Sequence, residues 1–422
     1  MKATKEFSVK IRRFLKILGP GLVTGASDDD PSGIATYSQA GAQFGYGTLW
    51  TALLTFPLMA AIQGMCARIG IVTSQGLTVT LKNHYPKGIL YLTLLFAFPA
   101  ITLNIGADIQ GMGAVAHMMI PQLPAFLYSV IFTAVLMIVI IRYPYQRVAK
   151  ILKWLCICLL LYILVPFMVK QDWLMVLKNT FVPSIKLNKE SLSILVAILG
   201  TTISPYLFFW QATMEAENIA HSKRKIIVDK RVLGNMKVDV NTGMLLSNVV
   251  MFFIILTAGS VLYKAGIRQI NTVDQAAKAL QPLTGNLTYL IFTIGIIGTG
   301  LLGIPVLAGS QSYMLAETFN WKAGLDKKFP QAKAFYISII ISLLVGLSLD
   351  FIGISPIQAL IYTAILYGLT APLLIAIIMH IGNNKKIMKD KTNSKLSNIL
   401  GGLTLLLMTI AAIALIYFQF NK

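Results

Sequence analysis

The sequence has few charged residues, few cysteines and few histidines. Only 12% of its 422 residues are charged and 56% are hydrophobic, whereas a soluble globular protein carries roughly 25% charged residues. This composition excludes an ordinary soluble domain and predicts a polytopic membrane protein. The three cysteines, Cys66, Cys156 and Cys158, show no zinc-like pairing with histidine, so we interpret them as small core residues.

Acidic residues are also scarce: 16 aspartates and glutamates stand against 36 lysines and arginines, a net charge of +20. The basic residues lie in short loops between apolar stretches, which is the pattern of the positive-inside rule and does not indicate a nucleic-acid partner. We therefore expect a multi-pass cell-membrane protein with a cytoplasmic N-terminus and no removable signal peptide. The four histidines lie near loops or span ends, which argues against a histidine proton relay at mid-membrane.

Apolar stretches long enough to cross the hydrocarbon core, about 20 residues each, recur along the whole chain. An odd number of spans places the C-terminus outside the cytoplasm, and we predict a single transmembrane domain over residues 1–422. The eleven predicted spans are about 17–43, 46–72, 88–116, 124–142, 149–169, 191–218, 238–263, 287–316, 333–350, 355–381 and 397–419.

The first span contains a polar interruption in which Asp28, Asp29 and Asp30 precede Pro31. Proline removes a backbone donor and clashes with the preceding turn, so we expect the helix to break there. A carboxylate at membrane depth is costly and indicates an ion path, and carbonyls freed by a break are tolerated there when they line a cavity. The pattern predicts a cation site. The alternative is that these aspartates only cap a helix.

The sixth span is interrupted in the same way, by Ser204 followed by Pro205. Broken helices at corresponding places in two halves of a chain are typical of inverted-repeat transporters. We therefore predict repeats at residues 17–169 and 191–381, an added helix at 397–419, and a site where the two breaks meet.

Motifs around both breaks resemble those of the Nramp divalent-metal transporters. They read Gly19-Pro-Gly-Leu, Asp30-Pro-Ser-Gly-Ile-Ala-Thr, Gly41-Ala-Gln-Phe-Gly-Tyr, Ala67-Arg-Ile-Gly-Ile-Val-Thr and Gly200-Thr-Thr-Ile-Ser-Pro-Tyr. The resemblance implies an all-α LeuT-type fold, a 5+5 inverted repeat with broken helices 1 and 6 and eleven transmembrane helices. It also implies a secondary transporter that works by alternating access around a metal ion.

Several positions depart from the family pattern. Gly33 stands in place of an asparagine, Ser204 in place of a methionine, Tyr206 and Gln211 in place of two histidines, and Gly111 in place of a glutamate. These departures resemble the Nramp-related magnesium transporters, a branch that the resemblance implies carries Mg²⁺ without coupling to protons.

The chemistry of the remaining side chains also favours Mg²⁺ as the transported ion. A thioether suits transition metals, whereas carboxylate, carbonyl, hydroxyl and water suit Mg²⁺, which gives up its waters reluctantly. We expect a wide pocket holding a largely hydrated Mg²⁺ or Mn²⁺ ion as transported substrate, with no cofactor. The predicted metal residues are Asp30 as principal counter-charge, Asp29, Ser32, Gly33, the backbone carbonyl of Thr201, Ser204 and, closer to the cytoplasm, Glu215.

Structural roles remain open for some of these residues. Ser204 would also serve simply to satisfy backbone freed by the proline, and Glu215 would serve as an interfacial charge. Asp108 is interpreted either as part of the ion path or as a hydrogen-bond partner between helices. Thr363 and Thr370, in the tenth span, are further candidates for residues that face the ion site.

Three other functions remain open. A proton-coupled Mn²⁺/Fe²⁺ importer fits the wider family but lacks its methionine and histidines here. An amino-acid or amine transporter of the same fold would have to hold a carboxylate that Asp29 and Asp30 repel. An intramembrane aspartyl hydrolase would need Asp30 and Asp108 on facing helices. We expect a transporter and not an enzyme, with the ion and the lipid bilayer as partners.

Overall fold

Long apolar helices follow one another along the chain and are joined by short connections. The computed structural model describes residues 17–144, 161–184, 188–220, 228–281 and 288–420, and these residues form helices and loops without any β-strand. The helices are α1 (Pro20–Asp28), α2 (Pro31–Phe44), α3 (Trp50–Thr73), α4 (Leu77–His84), α5 (Lys87–Met119), α6 (Ala125–Arg142), α7 (Leu161–Met168), α8 (Trp173–Phe181), α9 (Lys189–Thr202), α10 (Pro205–Ala220), α11 (Lys230–Ala258), α12 (Val273–Ala277), α13 (Thr288–Phe319), α14 (Lys333–Ser348), α15 (Pro356–Asn383), α16 (Lys385–Met388) and α17 (Lys395–Phe420).

Within the described residues, nine helical segments are long and apolar enough to cross a membrane, with α9 and α10 counted together. The first predicted span is divided into α1 and α2, and each half is too short to cross alone. Most of the fifth predicted span, 149–169, lies outside the described residues, as do residues 221–227, which include the basic Lys223, Arg224 and Lys225, and the first 16 residues. The count of eleven therefore stays a prediction.

Both predicted interruptions are confirmed. The first falls between Asp28 and Pro31, and the second falls between Thr202 and Pro205. In each case the proline is the first residue of the following half-helix. Proline fits that position because its missing N–H would have no partner within the helix.

Glycines let the half-helices pack backbone to backbone on long neighbours. A Cβ atom at Gly21 of α1 would lie 2.6 Å from the backbone nitrogen of Val240 in α11, and one at Gly25 would overlap the backbone of Gly243. In the same way, a Cβ at Gly200 of α9 would overlap the backbone of α15. Small residues at helix contacts permit this close approach in membrane proteins. The two broken helices are thereby packed closely against α11 and α15.

The two breaks meet inside the bundle. The Tyr206 hydroxyl, in the first turn of α10, donates a 2.8 Å hydrogen bond to the carbonyl of Ser27 at the end of α1. A Cβ at Gly33 would lie 3.4 Å from the hydroxyl oxygen of Thr201 near the end of α9. This juxtaposition is what the paired interruptions predict.

Candidate ion site at the helix breaks

Three buried aspartates occupy the first break. Asp28, Asp29 and Asp30 are 0%, 4% and 2% exposed. Asp30 is the N-cap of α2, since its Oδ1 accepts a 2.9 Å hydrogen bond from the backbone N–H of Gly33. The capping role considered for this stretch is therefore performed by Asp30 itself. Its second oxygen, Oδ2, accepts a 3.0 Å hydrogen bond from the side-chain amide of Asn104.

A polar network extends from Asp30 to two other helices. Asn104 lies on α5, and its Oδ1 is 2.9 Å from the donating hydroxyl of Thr363 on α15. The hydroxyl of Ser32 donates to the carbonyl of Leu360 at 2.9 Å and lies 3.4 Å from the hydroxyl of Thr363. The structure thus brings the predicted residues Asp30 and Ser32 together with Thr363. Asn104, which connects them, is missing from the sequence-based prediction.

The other two aspartates share a donor on α11. The hydroxyl of Ser247 lies 2.7 Å from Oδ2 of Asp28 and 3.3 Å from Oδ1 of Asp29. A hydroxyl has one hydrogen, so it serves the two carboxylates in alternation. The second oxygen of Asp28 has no hydrogen-bond partner among the described residues.

Asp108 is a fourth buried carboxylate near the break. It lies one helical turn from Asn104 on α5, is 0% exposed, and is close enough to Asp30 for their charges to interact. Neither of its oxygens makes a hydrogen bond of good geometry in the part of the chain that the structure describes, and a nearby donor is the backbone N–H of Ser32 on α2. Buried charges are costly unless they are paired or coordinate a metal. These carboxylate oxygens are therefore suited to a cation or its water.

At the second break the hydroxyl of Ser204 donates to backbone carbonyls. It lies 2.5 Å from the carbonyl oxygen of Thr201 and 3.1 Å from that of Gly200. This is the backbone-satisfying role that the sequence left open. Ion binding by Ser204 and by the Thr201 carbonyl stays a prediction.

The space at Gly33 is small in this conformation. A Cβ there would lie 3.3 Å from the carbonyl oxygen of Asp28 and 3.4 Å from the hydroxyl oxygen of Thr201. The adjoining aspartates are at most 4% exposed. The wide pocket expected from the sequence is therefore not open here, because the half-helices close around the carboxylates.

Glu215 lies beyond the second break and is buried, not exposed at a membrane edge. It is 4% exposed, and its Oε1 accepts a 3.0 Å hydrogen bond from the side-chain amide of Gln211. The carbonyl oxygen of the same amide accepts a 2.5 Å hydrogen bond from the hydroxyl of Thr24 on α1. Gln211 and Glu215 therefore share one face of α10, and α1 packs against it.

Asp239 is a second residue that the sequence-based prediction missed. Its carboxylate, on α11, accepts hydrogen bonds of 2.8, 2.7 and 3.1 Å from the backbone N–H groups of Gly19, Gly21 and Leu22. The first N–H groups of a helix have no partner within that helix and carry a partial positive charge. Asp239 therefore caps α1 from another helix.

The donors around the first break are hard oxygen ligands. Carboxylate, hydroxyl and side-chain amide groups suit Mg²⁺, Ca²⁺ and Mn²⁺ more than softer metals. No three His, Cys, Asp or Glu side chains among residues with described positions are arranged to hold one metal ion. An ion at this break would use carboxylate, neutral oxygen and water ligands together.

Two interrupted helices that meet at a buried group of carboxylates define a membrane transporter of the inverted-repeat type. The chain belongs to the Nramp family, since the family described as natural resistance-associated macrophage protein-like matches residues 21–418. It is accordingly a membrane transporter and not an enzyme, which removes the aspartyl hydrolase from consideration. The predicted family is confirmed, and the magnesium-transporting branch stays a prediction.

Relatives of known class extend over nearly the whole chain. The divalent metal cation transporter MntH of Caldanaerobacter subterraneus is 25% identical over 397 residues, which cover 93% of this chain and 90% of that protein. The divalent metal cation transporter MntH of Bacillus subtilis is 22% identical over 417 residues, which cover 98% and 95%.

Solved structures share the fold. The Eremococcus coleocola manganese transporter, in complex with an aromatic bis-isothiourea substituted compound, has a TM-score of 0.77 at 16% identity over 97% of this chain and 89% of that one. Mhp1, a nucleobase-cation-symport-1 family transporter in a closed conformation, has a TM-score of 0.59 at 12% identity over 95% and 92%. The predicted LeuT-type fold is confirmed by these similarities.

Proposed function

We propose that this transporter moves hydrated Mg²⁺, and also Mn²⁺, into the cytoplasm by alternating access, driven by the membrane potential and without proton coupling. The broader activity, transport of divalent metal cations, is the one in the names of the MntH relatives. The observation that carries the narrower proposal is Asp30 itself, a hard carboxylate ligand that is 2% exposed and is hydrogen-bonded to the N–H groups of Gly33 and Asn104 at the point where the two breaks meet.

The ligand chemistry favours a hard ion that keeps water. Ser204 and Gly33 stand where the family pattern has a methionine and an asparagine, so the soft thioether is absent from the second break. Mg²⁺ prefers octahedral oxygen ligands and usually retains several waters. Hydroxyl, amide and carboxylate groups such as Ser32, Asn104 and Asp29 are suited to contact those waters.

The membrane potential alone is enough to drive uptake. Moving one elementary charge across a potential of about 100 mV changes its free energy by about 2.3 kcal/mol. A divalent cation that moves inward across about 100 mV, negative inside, therefore gains about 4.6 kcal/mol. At about 1.4 kcal/mol per tenfold change, this supports a gradient of roughly three orders of magnitude. A coupled proton is unnecessary for accumulation of Mg²⁺.

The topology belongs to the same proposal. The repeats comprise residues 17–169 and 191–381, with the helix at 397–419 added, and the N-terminus is cytoplasmic while the C-terminus is outside. The support for this orientation is the distribution of lysines, among them Lys237 in the first turns of α11, Lys322 after α13 and Lys385 after α15, which the positive-inside rule assigns to the cytoplasm. In this orientation α1 lies between Asp30 and the cytoplasm.

A proton-coupled Mn²⁺/Fe²⁺ importer is the second candidate. It is favoured by the MntH relatives and by the manganese transporter with the same fold. In this chain Tyr206 and Gln211 occupy the positions of the family's two histidines, and neither titrates near neutral pH. This replacement supports transport without a proton.

The test is reconstitution of the purified chain in liposomes under an imposed negative internal potential. Fluxes of Mg²⁺ and Mn²⁺ are recorded together with internal pH, for the wild type, for Asp30→Ala and for Asp172→Ala. Asp172 is an exposed aspartate that caps α8 through a 3.0 Å hydrogen bond, far in sequence from the break, and serves as the matched control.

We expect potential-driven flux of both metals in the wild type and in Asp172→Ala, no change in internal pH, and loss of flux in Asp30→Ala. Proton movement in fixed proportion to metal would support the second candidate instead. Full flux in Asp30→Ala would remove the proposed site.

A further inference from the structure

Asn104 is a buried amide in the middle of an apolar helix, outside every motif that the sequence brings forward. It is 0% exposed, and both ends of its amide are used. Nδ2 donates to Asp30 Oδ2 at 3.0 Å, and Oδ1 accepts from Thr363 at 2.9 Å. An ionised carboxylate only accepts hydrogen bonds, so this arrangement fixes which end of the amide faces Asp30.

The consequence for Asp30 is that each of its oxygens already accepts a hydrogen bond, one from Asn104 and one from the backbone of Gly33. Donation of an N–H group to a carboxylate is a strong, charge-assisted interaction that satisfies part of its negative charge. The N–H dipole also places positive charge beside the oxygen. The donated hydrogen bond lowers the negative charge that Oδ2 offers to a bare cation, so direct contact gains less, while a water of hydration can still donate a hydrogen to a remaining lone pair.

We propose that Asn104 is a specificity-determining positioning residue, which keeps Asp30 as a partner for the hydration shell of the ion and so favours a cation that retains its water. The inference rests on the proposed function and names the residue that sets its selectivity. Thr363 acts with Asn104 because its hydroxyl, which lies 2.9 Å from Asn104 Oδ1 and 2.8 Å from the carbonyl oxygen of Leu360, donates its one hydrogen to these two acceptors in alternation and so supports the amide orientation. Asp30 itself remains the counter-charge.

The direction of the effect follows from hydration. Mg²⁺ dehydrates reluctantly, so it gains most from a carboxylate that accepts hydrogen bonds from its waters. Removing the Asn104 donor leaves Asp30 Oδ2 free to coordinate a metal directly. Direct coordination favours Mn²⁺, which follows Mg²⁺ in its preference for oxygen ligands and also accepts softer ones.

The chain offers a matched control. Asn248 on α11 is also a buried amide, 4% exposed, and it is hydrogen-bonded to Thr55 at 2.8 Å and to the carbonyl of Met244 at 3.1 Å. Its amide also lies against the sulfur of Met59, and none of its described hydrogen bonds goes to the four carboxylates around the break. Asn248→Leu therefore removes a buried amide from a membrane helix without changing the surroundings of Asp30.

The experiment measures the ratio of Mn²⁺ to Mg²⁺ flux in liposomes for the wild type, Asn104→Leu, Thr363→Val and Asn248→Leu. We expect the ratio to rise about tenfold in Asn104→Leu, the effect of losing one charge-assisted hydrogen bond. A smaller rise is expected in Thr363→Val, and the wild-type ratio in Asn248→Leu. A merely structural role would lower both fluxes together and leave the ratio unchanged.

The outcomes separate this inference from the proposed function. Wild-type flux with an unchanged ratio in both Asn104→Leu and Thr363→Val would overturn the inference alone. If Asn104→Leu does not fold, the ratio in Thr363→Val decides the question. A wild type that carries neither metal would overturn the proposed function and the inference with it.

Discussion

The contact between Asp239 and the first half-helix allows a quantitative prediction about how this transporter opens. Oδ1 of Asp239 accepts from the N–H groups of Gly19 and Leu22, and Oδ2 accepts from that of Gly21. In Asp239→Asn the remaining oxygen can keep the first pair of hydrogen bonds. The new amide places a donor against the donor of Gly21, and the negative charge at the helix N-terminus is lost.

The size of the effect follows from these losses. A hydrogen bond to a charged group contributes about 1.5–3 kcal/mol, and a charge at a helix terminus contributes about 0.3–1 kcal/mol when exposed and up to about 2 kcal/mol when partly buried. We therefore expect Asp239→Asn to destabilise the docked position of α1 by about 2–3 kcal/mol. When α1 separates from α11 its N–H groups reach water, so the undocked state is not penalised. The equilibrium shifts toward it by about 30- to 150-fold.

The assay is the rate at which a hydrophilic maleimide labels a single cysteine on the buried face of α1. Thr24→Cys supplies the cysteine, because Thr24 is 0% exposed and faces Gln211. It is placed in a background in which Cys66, Cys156 and Cys158 are replaced by alanine, and labelling is done in inside-out membrane vesicles. We expect Asp239→Asn to raise the labelling rate by about the same 30- to 150-fold.

Asp229→Asn is the matched control for this assay. Asp229 also caps a helix, accepting a 2.8 Å hydrogen bond from the N–H of Val232, but it is exposed and belongs to the helix that it caps. Its replacement should leave the labelling rate of Thr24→Cys unchanged. Equal rates for Asp239→Asn and Asp229→Asn would refute the reasoning, because the three hydrogen bonds would then have no part in holding α1.

Two further substitutions test the packing and the ligand chemistry of the breaks. Gly25→Val would overlap the backbone of α11, so we expect overpacking of about 3 kcal/mol or more and loss of folded protein by fluorescence-detected size exclusion. Gly64→Val is its control, since a Cβ at Gly64 meets no atom within 4 Å. Ser204→Met adds a thioether at the second break and should raise the Mn²⁺ to Mg²⁺ flux ratio by about tenfold, equivalent to about 1.4 kcal/mol. Exposed Ser348→Met should leave the flux ratio unchanged, and an unchanged ratio in Ser204→Met would count against an ion ligand at that position.

The breaks were predictable because their causes are local. Asp30 followed by Pro31, and Ser204 followed by Pro205, each place a helix-breaking residue beside a polar one inside an apolar run. The structure begins a half-helix at each of these prolines. Spacing along the chain is enough to infer such features, and it also predicted that the two breaks correspond.

The partners of the aspartates were not predictable by the same reasoning, because they come from distant parts of the chain. Asn104 is 74 positions from Asp30, Ser247 is 219 positions from Asp28, and Asp239 is 218 positions from Gly21. Periodicity assigns a residue to a helix face but not to a neighbouring helix. The sequence signal for these partners was weaker than the signal for the breaks. A single asparagine or aspartate in an apolar span is costly to bury, which indicates that a partner exists but not which residue it is.

The two half-helices are held by different partners, as the proposed alternating access requires. α1 is held at its N-terminus by Asp239, in its middle by Gln211, and at its end by Tyr206, all of them on α10 or α11. α2 is held through Asp30 by Asn104 on α5, and through Ser32 by α15. A continuous helix would transmit any movement of one half to the other. Under the proposed function, the break between Asp28 and Pro31 would let α1 leave its partners while the hydrogen bonds of Asp30 to Gly33 and Asn104 stay intact, so we expect release of the ion on the side of α1 without loss of the proposed site.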